Sequence, residues 1–406
     1  MKNRKEITRR AFFEISGIGL TGTILACSTN AEPERNEETK MEKETKEMLV
    51  YIGTYTSPGK SEGIYVYRLN LSSGELAPYK IVKNVVDPSF LAIDKKRKYL
   101  YAVNETEEYE GAKSGAVSAF AIEDDGDLRF LNKIPSLGGA PCHITVSDNE
   151  KFVLLANYVG GNAAVFPVEK GGVLGASVEI VQHSGSGPNK KRQESAHAHS
   201  INLDHKNRFA YVCDLGIDKV MIYEFDEKNG KLTINPAQNF YEGKPGAGPR
   251  HFAFHPNNKF AFLINELDST VVSLSYESKN GTLKEIQTVS ALPENYKGAS
   301  YCADIHVSPN GKFLYGSNRG HDSLVVFKID EKSGNLALVG HVSTGGKYPR
   351  NFGIEPTGKF LFAANQNSDS ITAYRINEET GMPEPTGQKT SVPNPVCLKF
   401  IPVVVD

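Results

Sequence analysis

His197 and His199 stand two residues apart in the run Ala196-His197-Ala198-His199-Ser200. In extended chain, residues at this spacing share a face, so the two imidazoles would suit a metal ion or a set of hydrogen bonds. No third ligand follows at a recognisable zinc spacing, so hydrogen bonding is the stronger reading and no metal is assigned. The other chemically able residues are scattered: Glu105, Tyr158, Asp214, Arg250, His251, Glu266, Asn318, Arg319 and Arg350. The sequence contains no Walker loop, and its G-x-S-x-G run (Gly59–Gly63) and G-x-G-x-x-G run (Gly17–Gly22) lack the strand-then-helix pattern such motifs need, so serine-hydrolase, NTPase and Rossmann chemistries are not supported and no cofactor is expected. Five cysteines with no C-x-x-C pair exclude zinc ribbons and a thioredoxin-type redox pair. Residues this far apart act together only if the fold gathers them.

A repeat of about 51 residues supplies that fold. Six copies of one motif run through the chain: 88–105, 141–158, 198–215, 249–267, 302–319 and 349–366. Each is an apolar run, a turn with Lys or Arg, and an aromatic-led apolar run, alternating at period two as strands do. Between copies lie seven further turns holding Gly74, Gly126, Gly172, Gly230, Gly281, Gly334 and Gly381, where positive φ is expected. Seven outer hairpins against six inner ones leave one inner hairpin to find. Its halves are at opposite ends of the sequence, 395–403 and 49–56, which closes a ring and leaves no sheet without a neighbour. The expected architecture is all-β: a seven-bladed propeller with four antiparallel strands per blade, occupying 48–406 as one domain. The absence of Trp excludes the Trp-Asp-marked class of propeller.

The repeat also separates structural positions from others. Apolar pairs such as Ile144/Val146 and Phe252/Phe254 recur and read as packing between blades. Asn104, Asn157, Asp214, Asn265, Asn318 and Asn365 recur at the ends of second strands and read first as turn caps, although several would also reach a ligand. The next position breaks symmetry with Glu105, Tyr158, Leu215, Glu266, Arg319 and Gln366. The start of the inner strand breaks it with Ser89, Cys142, His199, Arg250, Ala303 and Arg350, followed by Phe90, His143, Ser200, His251, Asp304 and Asn351. One mouth of the channel thus gathers arginines, histidines and two carboxylates that blade stability does not require, the default place for a site. The longest insertion, 184–196, carries Lys190, Lys191 and Arg192 and reads as a solvated loop or an anion-steering one.

The amino terminus is an address. A basic head with Arg9-Arg10, an apolar run from Ile15 to Ala26 and Ile24-Leu25-Ala26-Cys27 describe a twin-arginine-like export signal (1–26) ending in a lipobox, with Cys27 the lipidated residue. About 12 apolar residues are too few to span a bilayer. Residues 27–47 are charged and read as a disordered tether, so the membrane is a partner only through the lipid anchor, on the periplasmic side or cell surface. A net charge of −2 without a basic block argues against nucleic acid. Cys142, Cys213, Cys302 and Cys397 lie in apolar runs and read as buried free thiols.

Beyond these patterns, several runs resemble the seven-bladed lactonase family across about 49–403. They are His197-Ala198-His199-Ser200, Asp214-Leu215-Gly216-x-Asp218, Gly248-Pro249-Arg250-His251, Asn265-Glu266-Leu267, Ile305-His306-Val307-Ser308-Pro309 and Ser317-Asn318-Arg319-Gly320. The family includes a bacterial 6-phosphogluconolactonase and, more distantly, fungal carboxymuconate lactonising enzymes. The resemblance implies hydrolysis of a small lactone, an aldonolactone by preference, in sugar metabolism. Glu266 would be the base, helped or replaced by His199, with Arg250 and Arg319 holding the oxyanion or a substrate anion. His197, His251, Asn318, Arg350, Asp214 and Tyr158 would line the pocket, and no covalent nucleophile is evident. Two other readings stay open: a non-catalytic exported propeller that binds a sugar acid or serves as scaffold, and a muconate-type cycloisomerase. Export would place the protein where a cytoplasmic sugar-phosphate pathway does not supply substrate.

Overall fold

The computed structural model describes residues 46–57 and 59–403; the expected export signal, Cys27 and all but the last two residues of the expected tether lie outside the described residues. Seven antiparallel sheets follow one another, six of four strands and one of five. Blade 1 runs outward from the channel as Pro395–Pro402, Glu47–Thr54, Gly63–Asn70 and Leu76–Lys83. The innermost strands of blades 2 to 7 are Leu91–Ile93, Pro141–Val146, Ala198–Leu203, Pro249–Phe254, Tyr301–Val307 and Pro349–Ile354. Consecutive innermost strands touch all the way round. The ring closes as the split repeat requires, with Met48 opposite Pro402 and Gly53 opposite Cys397. Blade 4 alone adds a short strand, Phe240–Glu242, beside Lys219–Asp226.

Apolar faces meet between blades rather than within one. Phe209, Tyr211 and Ile222 of blade 4 share a cluster with Phe252, Leu263 and Leu274 of blade 5. The glycine turns complete this seam. Gly281 has φ +73°, and a Cβ there would stand 2.5 Å from the Phe209 ring of the neighbouring blade. Its carbonyl accepts from the Tyr211 hydroxyl at 2.7 Å. Equivalent turns sit on Tyr99, Phe152, Phe260, Phe313 and Phe360, so in six of the seven blades the aromatic leading the second strand is the surface on which the next blade's turn lands; in blade 1 Leu49 takes that place. Both features of the repeat, the aromatic and the glycine, are therefore two sides of one contact.

Four of the six recurring Asx residues are stitches. Asn104, Asn157, Asn318 and Asn365 donate from Nδ2 to the carbonyls of Val86, Ser136, Ala291 and Thr344, at 2.6–3.0 Å. Each acceptor lies shortly past the preceding blade's outer strand, so the bond fastens the connection that leads into the blade. All four remaining cysteines are buried free thiols.

Candidate active site

The mouth is built by a repeated irregularity. In blades 3, 4, 5 and 7 the ladder between inner and second strand slips at its start, leaving Cys142, His199, Arg250 and Arg350 as the extra residue. In blade 6, Ala303 and Asp304 lie within the slip. A bulge of this kind leaves one residue out of the pairing and re-aims its side chain, here toward the channel axis. The positions where the repeat breaks chemical symmetry are the positions where the ladder breaks its register.

Glu266, at the end of blade 5's second strand, is the centre of the mouth and only 3% exposed. Its Oε2 accepts from Arg250 Nε at 2.9 Å and pairs with Arg319 Nη2 at 2.7 Å, with His199 Nε2 at 3.9 Å. Its Oε1 accepts from Arg192 at 2.6 Å. Burial alone would raise this carboxyl, but Arg319, Arg250 and Arg192 together hold it far below the ordinary carboxylate range. Burial, reinforced by Arg319 and Arg350, lowers Arg250 to about 10, which still leaves it charged at neutral pH.

A second carboxylate faces this group. Glu105 occupies the same repeat position in blade 2, accepts from the Tyr55 hydroxyl at 2.8 Å and lies 3.6 Å from Arg350. Arg350 in turn lies over the Tyr55 ring. Below them the imidazoles of His143, His199 and His251 and the ring of Phe90 pack edge to face and plug the channel. Beyond the plug the channel reopens as a cavity of about 460 Å³ bordered by His306, Asn202 and Lys399.

The expected site residues divide. Glu266, His199, Arg250, Arg319 and Arg350 converge as expected from the repeat, and Tyr158 reaches them through its hydroxyl, which accepts from Arg192 at 3.2 Å. Four others have their polar atoms engaged inside the protein. Asp214 is fully buried, with Oδ1 accepting from His197 N and Gly216 N and Oδ2 bonded to His183. Asn318 is one of the blade stitches. His197 has both ring nitrogens engaged, by the Tyr158 carbonyl and Glu194 at 3.0 Å each, and stacks on the Tyr158 ring, so it positions Tyr158. His251 bonds Asp304 and lies 3.3 Å from Arg250 Nη1, beneath the arginine it was expected to accompany. Cys142 lies 3.6 Å from His199 Nδ1, but its buried thiol donates to the His199 carbonyl at 3.2 Å, and burial raises it above the ordinary range, which favours the protonated form.

Residues 49–400 match the family model described as lactonase, 7-bladed beta-propeller. The chain belongs to this lactonase family. It is 40% identical to a 6-phosphogluconolactonase of Bacillus subtilis over 352 residues, covering 86% of this chain and 97% of that one. A 6-phosphogluconolactonase of Formosa agariphila is 37% identical, over 74% and 84% of the two chains. Among solved structures, the periplasmic gluconolactonase of Pseudomonas aeruginosa superposes with a TM-score of 0.82 at 31% identity, covering 88% of this chain and all of that one.

Within this lactonase-family fold, sequence reasoning left three mouth residues unassigned. Glu105 had a signal, since it repeats the position of Glu266. Arg192 had one in the basic insertion, but which of its three cations turns inward is decided by Gln193, which is fully buried and bonded to Leu215 O and Asp218 Oδ1. Tyr55 had none, because its blade is split between the two ends of the chain.

The plug makes a prediction about acid. Burial, followed by nearby positive charge, pushes His251 down to about 4 and His143 and His199 well below the ordinary imidazole value. An unfolded imidazole binds its proton near pH ~6.5, so between there and about 4 the unfolded chain holds more protons and stability falls with pH. The loss is about 1.4 kcal/mol per pH unit for each histidine. Glu266 and Asp304, both held low, add a second loss below the unfolded carboxylate value of ~4.3. The melting temperature should fall steadily from pH 6.5 downward and steepen below about 4.5. A flat profile from pH 7 to 5 would contradict neutral, buried imidazoles.

Proposed function

We propose that the chain hydrolyses an aldonolactone to the free acid at this mouth. One observation carries the proposal: beside Glu266, Arg250 Nη2 and Arg319 Nη1 have no partner among the described residues, while the other nitrogens of both side chains are anchored. Two fixed guanidinium donors next to a buried carboxylate suit an ester carbonyl whose oxygen becomes negative during attack. With Arg192 turned away from it, Glu266 Oε1 holds a water that attacks the lactone carbonyl carbon and passes its proton to that oxygen, with neutral His199 alongside. Arg250 and Arg319 meet the oxyanion. Collapse breaks the ring C–O bond, the ring oxygen takes the proton, and the new acid then ionises, releasing one proton per turnover. The names of the relatives support a gluconolactone, with or without a 6-phosphate.

A pH-stat measurement on gluconolactone and its 6-phosphate, against uncatalysed hydrolysis, tests this reading. Arg250→Met and Arg319→Met should each cost on the order of 2–4 kcal/mol in kcat/KM. No rate above background, with gluconate still bound, would make the protein a sugar-acid binder instead.

An exported, lipid-anchored location is also proposed. The Arg9-Arg10 and Ile24–Cys27 motifs support it, as does the word periplasmic in the description of the Pseudomonas relative. Cys27→Ser should move the protein from the membrane to a soluble fraction; wild-type protein that is soluble in the cytoplasm would refute the assignment.

A further inference from the structure

Glu266 is engaged unequally on its two sides. Oε2 faces Arg250, Arg319 and His199, all at most 5% exposed at the side chain. Oε1 has a single partner, Arg192, whose side chain is 36% exposed. Arg192 comes from the long insertion, whose backbone is pinned by Gln193, so the guanidinium can leave Oε1 by side-chain rotation alone without moving the loop. The mouth also carries excess positive charge: Arg192, Arg250, Arg319 and Arg350 against Glu105 and Glu266. As it stands, the carboxylate is too well satisfied to be an effective base, and the one cation that can be drawn away is the one that reaches solvent.

We propose that Arg192 reads an anionic substituent of the substrate, a phosphate or second carboxylate remote from the lactone carbonyl, and that binding this anion takes Arg192 off Glu266 Oε1. The inference rests on the hydrolytic reading of this mouth. An incoming anion replaces Glu266 as the partner of the guanidinium, whose planar fork fits phosphate or carboxylate oxygens in pairs. Glu266 Oε1 is then free to hold the attacking water, so the substrate's own charge arms the base. Lys190 Nζ, by contrast, reaches the Gly187 carbonyl of its own exposed loop and has no bond to Glu266.

The test compares three lactones on the full chain: gluconolactone, its 6-phosphate and a glucarolactone. Arg192→Met should lower kcat/KM for an anionic lactone, relative to gluconolactone, by about 10–100-fold, the range expected for a lost charge-assisted pair. The phosphate and carboxylate arms show which anion is read, and Arg192→Lys should recover part of the ratio. Simple damage to the loop would depress all three lactones alike, so a ratio unchanged within about twofold overturns the proposal. If wild type hydrolyses none of them, the hydrolytic reading has failed, and calorimetry with 6-phosphogluconate, glucarate and gluconate decides the anion reading instead. Selective weakening of one of the first two in Arg192→Met supports it; equal weakening of all three overturns it.

Discussion

Glu266→Gln should lower turnover roughly 100-fold or more, because the amide keeps the shape of the side chain and loses its capacity to take a proton. The structure adds a consequence that the sequence alone does not suggest. Read from the repeat, polar mouth residues are dispensable to the blades. In the fold, Glu266 is the shared counter-ion of Arg250 and Arg319, which are 2% and 3% exposed. Removing one partner of a buried ion pair typically costs about 3–5 kcal/mol, because the remaining charge stays desolvated. The variant should therefore melt several degrees lower as well as turn over slowly. Kinetics must be measured below its own melting transition, with Glu105→Gln as the companion, since Glu105 faces one guanidinium at 3.6 Å rather than three. Near-wild-type kcat in folded Glu266→Gln would remove this carboxylate from the reaction, and a fall confined to Glu105→Gln would transfer the base to blade 2.

Deleting residues 396–406 should abolish cooperative folding. The lost strand is the innermost of blade 1, pairing with Glu47–Thr54 from Met48 to Gly53. Val396, Leu398 and Ile401 are 2%, 4% and 8% exposed, and each would leave a cavity worth about 2–5 kcal/mol. Their sum is comparable to the whole stability of an ordinary domain, about 5–15 kcal/mol. The strand also serves both neighbours: Leu398 N donates to Asn351 Oδ1 of blade 7 at 2.9 Å, and Cys397 Sγ receives Leu91 N of blade 2 at 3.4 Å. The expected product is insoluble or molten, with near-UV dichroism lost. A truncated chain that melts as sharply and as high as the full one would show that the ring does not depend on this closure.

Much of the architecture was legible because it repeats. Seven glycines at fixed offsets from aromatic-led strands announce seven equal turns, and each has the positive φ that the turn needs, between +70° and +84°. The unmatched half-hairpins at 49–56 and 395–403 announce closure, since a ring leaves no blade without a packed neighbour. The Asx column was readable as structural because one residue type at one repeat position calls for one backbone explanation, but in four of the six residues the bond fastens the connection from the preceding blade and does not cap the local turn.

The mouth was legible only as a list of positions. Period-two alternation assigns a residue to a face of a strand, but a bulge adds a residue outside that alternation, and it is the bulged His199, Arg250 and Arg350 that turn toward the axis. Sequence spacing likewise carries no information about which distant charges will meet: Arg192 and Glu266 are 74 residues apart and 2.6 Å away. Nor does it show which polar groups are already spent, as Asp214 is on His183 and two backbone amides. Local periodicity determined the blades and their number, because strand pairing repeats a short-range pattern. The choice of which side chains face a ligand belonged to the closed ring, because burial and Coulomb attraction act between groups that only closure brings together.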